Sequence, residues 1–315
     1  GIPGRFEGHR LLLWDADQVR VYDLLSGKLR WAAPRPGDLT PGNLTPGNAG
    51  HFPSAGAGRG YTTVDFADGA FAWRTTVDGG GLGLAVRDAA TGRMLWDRPI
   101  RDGSLDGVLV SGPVVVAVLD NGQRLRSFDR RTGKPLEEIT SPGALAYIHR
   151  SGGHALLQRG SQIQSADLVR GVIEWQENIR VKGSGQGAGF LHDGSAWFFT
   201  GGHELCVRNP GSAIDLYRGP ADSSRTPLGM ALSPDGGTYV ALWRTSSNFI
   251  EVQVHDRAFG RDRRVKLGHL VRLRQPPPTA AHLAWSRWPI PWSERARDGN
   301  RYTGEHELVL RRSDG

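Results

Sequence analysis

Apolar residues along this chain come in short bursts of alternating or continuous character, each closed by Gly, Asp, Asn or Ser, which is how turn-linked strands are written. The longest apolar stretch, Val108 to Leu119, is broken by Ser111, Gly112 and Pro113. It is too interrupted to span a bilayer and reads as strands. Long amphipathic helical patterns are absent, so the expectation is an all-β protein.

The bursts carry a phrase that recurs. It consists of alternating apolar residues, an Asp, two spacers, Thr or Ser followed by Gly, three further spacers and a Trp. VRVYDLLSGKLRW supplies Asp23, Gly27 and Trp31, and LAVRDAATGRMLW supplies Asp88, Thr91, Gly92 and Trp96. LRSFDRRTGKPLE keeps Asp129, Thr132 and Gly133 but ends on Glu137, whereas IQSADLVRGVIEW keeps Asp167, Gly171 and Trp175 with Arg170 before the glycine. LCVRNPGSAIDLY places Asn209 and Tyr217 at the equivalent positions, VQVHDRAFGRDRR has Asp256 and Gly260, and LVLRRSDG is a degenerate terminal copy. Successive Asp-equivalents, ending at Arg312, lie 65, 41, 38, 42, 47 and 56 residues apart. Self-similarity near forty residues signals a propeller or solenoid.

Physical reasons follow for each position. Alternation turns one strand face into a sheet interface, Asp and Ser or Thr bond to turn backbone, and Gly supplies the left-handed residue that closes a hairpin. The Trp then falls on the outer strand and packs against the neighbouring blade. This combination resembles the tryptophan-docking repeat of quinoprotein-like β-propellers, over most of the chain. That family includes quinone-dependent alcohol dehydrogenases and non-enzymatic outer-membrane assembly lipoproteins and sensor propellers, so the resemblance implies a fold and leaves function open. MALSPDGGTYVAL, Met230 to Leu242, looks like the strand, turn and strand of WD40-like propellers. A sialidase-type Asp box at Ser233 to Val240 is set aside because its closing Trp is missing and only one copy exists.

The expectation is therefore a single β-propeller over 1–315, built of four-stranded antiparallel blades. Seven blades are favoured, with six or eight as alternatives. RLLLWDADQ alone precedes the first phrase, so the opening blade is expected to lack its innermost strand, and the last blade to lack an outer one. Gly1 in place of an initiator Met reads as a processed product or part of a longer protein. An anchor upstream would be compatible with it. Cytoplasmic and extracytoplasmic locations both stay open, since the lone Cys206 excludes an intramolecular disulfide without fixing the compartment.

Candidate chemistry is sparse. The resemblance first suggests quinone-dependent dehydrogenation, but that activity needs calcium ligands, a catalytic Asp and usually a vicinal cysteine pair, and none of these is legible. No cofactor and no metal are expected. KGSGQG at Lys182 to Gly187 is neither a nucleophile elbow nor a phosphate loop, because no α/β context surrounds it. The ten histidines form no metal-binding spacing.

Recognition features are better represented. One insertion, 34–60, carries a five-residue duplication at Leu39 to Asn48. A second, 276–303, places Trp285, Trp288 and Trp292 among Arg287, Arg295 and Arg297, and aromatic and Arg side chains dominate binding hot spots. Trp285 sits on the apolar run HLAW and reads as core. A basic hairpin, 257–274, gathers Arg257, Arg261, Arg263, Arg264, Lys266, Arg272 and Arg274 against Asp256 and Asp262, which would suit an acidic partner. The formal charge of +7 is modest for nucleic-acid binding and no such module accompanies it. The sequence points to a non-catalytic scaffold or sensor of bacterial type that binds a protein or peptide. The alternative is a propeller enzyme or a small-molecule or glycan binder with its site at the channel mouth.

Overall fold

The computed structural model describes residues 4–15, 17–34, 62–77, 79–179, 188–200, 204–220, 226–233, 235–245, 249–257, 261–269, 288–295 and 301–308. Lys182 to Gly187, nearly all of 34–60, Gly260, Arg272, Arg274, Trp285, Arg287, Arg297 and Arg312 lie outside them. The chain forms two compact units, Gly1–Gln176 and Glu177–Gly315.

In the first unit, sixteen strands make four antiparallel sheets, each in simple sequential order. The first sheet holds β1 (Gly4–Glu7), β2 (Arg10–Trp14), β3 (Gln18–Asp23) and β4 (Lys28–Pro34). The second holds β5 (Val64–Ala67), β6 (Ala70–Val77), β7 (Gly81–Asp88) and β8 (Met94–Ile100). The third holds β9 (Leu105–Ser111), β10 (Val114–Leu119), β11 (Arg124–Asp129) and β12 (Pro135–Thr140), and the fourth β13 (Tyr147–Ser151), β14 (His154–Arg159), β15 (Gln162–Asp167) and β16 (Val172–Asn178). The second unit contains β17 (Ala188–Phe190) to β20 (Asp215–Pro220), with β18 (Ala196–Phe199) and β19 (Glu204–Arg208) between them. A sixth sheet follows, with β21 (Thr226–Leu232), β22 (Thr238–Arg244), β23 (Phe249–Asp256) and β24 (Arg261–His269), and then a two-stranded sheet of β25 (Trp288–Arg295) and β26 (Arg301–Leu308).

Two expectations are corrected. The opening sheet does not lack its first strand: β1 pairs Gly4 with Leu13 and Phe6 with Leu11. Four residues with one large apolar side chain are too few to show alternation, and only Gly8, at φ 55°, marks the hairpin. Within the segment read as an inserted loop, β25 is paired along its whole length with β26, from Trp288 opposite Leu308 to Arg295 opposite Arg301. Pro289 and Pro291 masked that strand, because a residue without an N–H argues against a central strand and is tolerated at an edge.

Successive sheets share cores. Leu12, Trp14, Val21 and Trp31 of the first pack with Phe66, Phe71, Trp73 and Ala89 of the second. The second and third share Leu84, Val86, Trp96, Val110, Val115 and Phe128, and the third and fourth share Val116, Leu125, Ile148 and Leu157.

The repeat phrase supplies the lock at each interface. Asp88 Oδ1 accepts the amides of Ala90 and Thr91 and the Thr91 hydroxyl, while Gly92 closes the hairpin at φ 71°. The Trp31 indole lies flat on that hairpin and donates from Nε1 to the Ala89 carbonyl at 2.9 Å. A Cβ on Gly92 would come within 2.6 Å of the indole ring, so glycine is required by close approach as well as by its φ. One sheet further, Trp96 Nε1 donates to the Arg130 carbonyl at 2.8 Å and its ring rests on Gly133. At the next interface Glu137 stands in place of Trp, and its backbone and Cβ crowd against Gly171. Trp31, Trp96 and Trp175 are all buried. A second stitch joins the hairpins between first and second strands: Glu7 accepts from the Gly69 amide, Asp68 from the Gly112 amide, and Ser111 Oγ from the Gly153 amide.

Trp96→Ala is expected to lower unfolding free energy by about 3–5 kcal/mol, and Trp96→Phe, which loses the Nε1 hydrogen bond but keeps much of the buried area, by about 1 kcal/mol. Urea unfolding followed by circular dichroism measures both. The Asp129 carboxyl is held below its usual range by the Thr132 hydroxyl and then the turn amides. It therefore stabilises the fold fully above the unfolded value of 3.8 and loses that contribution as pH falls through the lower, folded value. Asp129→Asn should reduce stability at neutral pH, and its deficit relative to the parent should shrink in acid.

Candidate functional site

The carboxylates are the groups to account for first, because catalysis or metal binding would need some of them free. Those of the first four phrases, Asp23, Asp88, Asp129 and Asp167, are engaged by their own turns. Asp23 accepts the amides of Leu25 and Ser26, and Arg30, which donates to it from Nε at 3.0 Å, holds its pKa down. Asp167 accepts from Val169 and Arg170.

A carboxylate that the sequence did not single out links three sheets of the first unit. Asp65 lies on β5, buried, between Val64 and Phe66. Its Oδ2 accepts the Val110 amide of β9 at 2.7 Å and Arg150 Nη1 of β13, while Oδ1 accepts Arg150 Nη2 at 2.9 Å. One side chain thus joins the first strands of three consecutive sheets. A polar residue inside VDF was the only sequence signal, and the partner 85 residues away could not be read from local pattern. Its oxygens are filled by a guanidinium and amides, an arrangement suited to holding strands together.

Where β10 turns into β11, a second ionic group forms. Arg124 Nε donates to Asp120 at 2.6 Å, and Arg126 donates to Glu138 at 2.7 Å and through both Nη atoms to Asp102 at 2.9 and 2.7 Å. Hydrogen bonds from Arg126 to Asp102, and from Arg124 to Asp120, keep both carboxyls below their usual range. Asp120 and Asn121 take φ of 52° and 62°, an unusual pair of left-handed residues fixed by the Ser104 amide on Asp120 and the Asn121 amide on Asp106. Among the described residues no group of three or more His, Cys, Asp or Glu could hold a metal ion.

In the second unit, Tyr217 occupies the Trp position of its phrase and packs, with its ring tilted, against the following sheet, with ring centroids 5.7 Å from Tyr239 and 4.2 Å from His255. Ser233 and Asp235 close the β21–β22 hairpin, with the Thr238 amide on Ser233 Oγ at 2.8 Å and the Gly237 amide on Asp235 at 2.9 Å. Arg257 is committed to that same hairpin. It donates to the Gly236 carbonyl at 2.8 Å and lies over the Tyr239 ring at 5.2 Å. The basic hairpin is thereby divided. Arg264 and Lys266 stand in register opposite Gln253 and Glu251, both buried, whereas Arg261 is opposite Asp256 and Arg263 opposite Val254. Strand β24 is the last of its sheet, and a charged edge also discourages unwanted strand pairing. Trp288 and Trp292 fall on β25, opposite Leu308 and Gly304. Cys206 is buried on β19, where desolvation pushes its thiol up to about 12, against formation of the thiolate.

Asp65→Ala should cost about 3–5 kcal/mol by leaving the Arg150 guanidinium without its buried counter-charge. Adding Arg150→Ala should cost less than an independent second loss, a coupling that a double-mutant cycle on urea midpoints reads directly.

Neither a protein-family model nor a curated protein sequence matches this chain. Solved structures do. An Hsv2 from Kluyveromyces lactis with its loop 6CD replaced by a Gly-Ser linker is 10% identical and covers 97% of each chain with a TM-score of 0.50. BamB from Moraxella catarrhalis is 14% identical, covering 85% of this chain and 87% of its own with a TM-score of 0.43. A computationally designed protein, Ika8, is 15% identical over 84% of this chain and 86% of its own, with a TM-score of 0.45. The four-stranded antiparallel sheets match those of β-propeller structures, and the likeness is one of fold.

Proposed function

We propose that the chain is a single β-propeller over residues 1–315 that recognises a protein or peptide and performs no chemistry. The sheets seen in the two units, six of four strands and one of two, support seven blades. The seating of Trp31 on Gly92 and of Trp96 on Gly133 supports the tryptophan-docking type within propellers. The observation that carries the functional reading is the commitment of reactive groups to structure. Asp23, Asp88, Asp129 and Asp167 bind turn amides, Asp65 binds Arg150, and Cys206 is buried with a raised pKa.

Recognition is assigned to the surfaces left over. On the basic hairpin, Arg261 and Arg263 are the members not in register with a buried polar residue, and they would suit an acidic segment of a partner. Trp288, Trp292 and Arg295 on β25 are the aromatic and cationic candidates of the second surface. No helix among the described residues is long and apolar enough to cross a membrane.

Thermal melting of the full chain tests this reading. Calcium, pyrroloquinoline quinone and a glycan panel should leave the melting temperature unchanged, while an acidic peptide such as oligo-glutamate should raise it, with the rise abolished in Arg261→Glu/Arg263→Glu. A specific rise with quinone or a glycan would replace recognition by the enzymatic or small-molecule reading. Calorimetry should show one cooperative transition if the two units belong to one propeller.

A further inference from the structure

Arg74 differs from other arginines of the first unit in what its guanidinium meets. Arg150 fills both oxygens of Asp65, Arg159 donates to the carbonyls of Gly143 and Gly122, and Arg87 donates to the Gly92 carbonyl. Arg74, on β6, donates from Nη1 to the Leu105 carbonyl of β9 at 3.4 Å, a long contact. Its Nε is buried and, among the described residues, has no hydrogen-bond partner. Nε and Nη2 form the edge by which a guanidinium takes an oxyanion side-on, through two parallel N–H bonds. The Leu105 contact uses the other side of the group.

A hydroxyl stands beside that edge. The pairing of Val64 with Trp73 and of Asp65 with Ala72 continues to Thr63, whose carbonyl accepts the Arg74 amide at 2.8 Å. The side chains of Thr63 and Arg74 therefore share one face of the sheet. Asp65, on the same face, reaches the Val110 amide of the third sheet, which turns that face toward β9. Thr63 Oγ1 is buried and, among the described residues, also has no partner. Asp65 is committed to Arg150, so Arg74 has no counter-charge among the described residues.

We propose that Arg74 and Thr63 form a binding site for a small oxyanion, either free or carried as the acidic side chain of a partner. The chemistry selects the ligand class. A buried cationic donor and a neighbouring hydroxyl donor ask for acceptor oxygens and a negative charge together, which a carboxylate or phosphate supplies. Both residues lie on strands whose backbone is fixed by pairing, so the donors are held before the ligand arrives. The site lies in the first unit and goes beyond the recognition assigned to the basic hairpin.

The test follows the melting temperature of the full chain as chloride is replaced by acetate or inorganic phosphate at constant ionic strength. A saturable rise is expected, unlike the unsaturable stabilisation that excluded salts give every protein. Arg74→Gln should weaken the apparent affinity at least about tenfold and Thr63→Val about fivefold, through the loss of a charged and a neutral hydrogen bond. Without oxyanion, Arg74→Met should melt above the parent, because it removes an uncompensated cation from the interface, and that lead should shrink as acetate is added. An aspartate tetrapeptide binding more tightly than acetate would make a partner's side chain the source, and equal binding would make it the free anion. No saturable rise, a rise indifferent to both Arg74→Gln and Thr63→Val, or an Arg74→Met protein less stable than the parent without oxyanion would overturn the proposal. So would a response confined to Asp38→Asn/Asp78→Asn, since the acceptor would then be a carboxylate of this chain outside the described residues. Thr63→Val, which keeps the shape and every charge, covers the case in which the Arg74 variants fail to fold. The Arg261→Glu/Arg263→Glu protein should keep the full acetate response, so failure here is separable from failure of recognition at the basic hairpin.

Discussion

An indole of one sheet lying on the glycine of the next sheet's hairpin is the contact on which the first unit depends. It has two requirements that reinforce each other. The hairpin needs a left-handed residue to close, and the ring needs a surface without a Cβ to lie on; one glycine meets both. The Asp two-spacer turn then positions the carbonyl that the indole N–H must find once it leaves water, since a buried donor without an acceptor is costly. Sheet packing, turn geometry and hydrogen bonding are thus specified by the same few residues.

That economy explains how the phrase tolerates decay. Where Glu137 replaces Trp, the sheets still meet, because the third and fourth share an aliphatic core that includes Leu125, Ile139 and Ile148, and the backbone draws close to Gly171. Where Tyr217 replaces it, the ring finds Tyr239 and His255 on the following sheet. The glycine-bearing turn is retained more strictly than the ring, in keeping with a backbone requirement that few side chains can meet and a packing requirement that many can.

The sequence was most legible where its signals were local. Asp88 to Trp96 states its hairpin, its left-handed residue and its outward ring within nine positions, and the observed bonds follow that order. Legibility failed in three physical circumstances. Strand β1 was too short to show a period. Strand β25 was concealed by Pro289 and Pro291. Asp65 was invisible as a functional residue because its meaning lies in Arg150 and Val110, which only folding brings to it. The basic hairpin was visible as charge, but the division between Arg257, held by the Gly236 carbonyl, and Arg261 and Arg263 required the register of β23 with β24.

Repeat arrays ordinarily behave as chains of near-neighbours, in which each module feels only the one beside it and may fray on its own. The Asp65 carboxylate departs from that scheme, because its bonds run from the second sheet through the third to the fourth. Opening the middle module alone would strand a desolvated ion pair, so the three have reason to unravel together as one cooperative block. In an architecture that grows and shrinks by whole modules, such a cross-link also constrains history. Deleting the third repeat would carry away the amide that completes the bond, and a duplication at this place would pull the two charges apart.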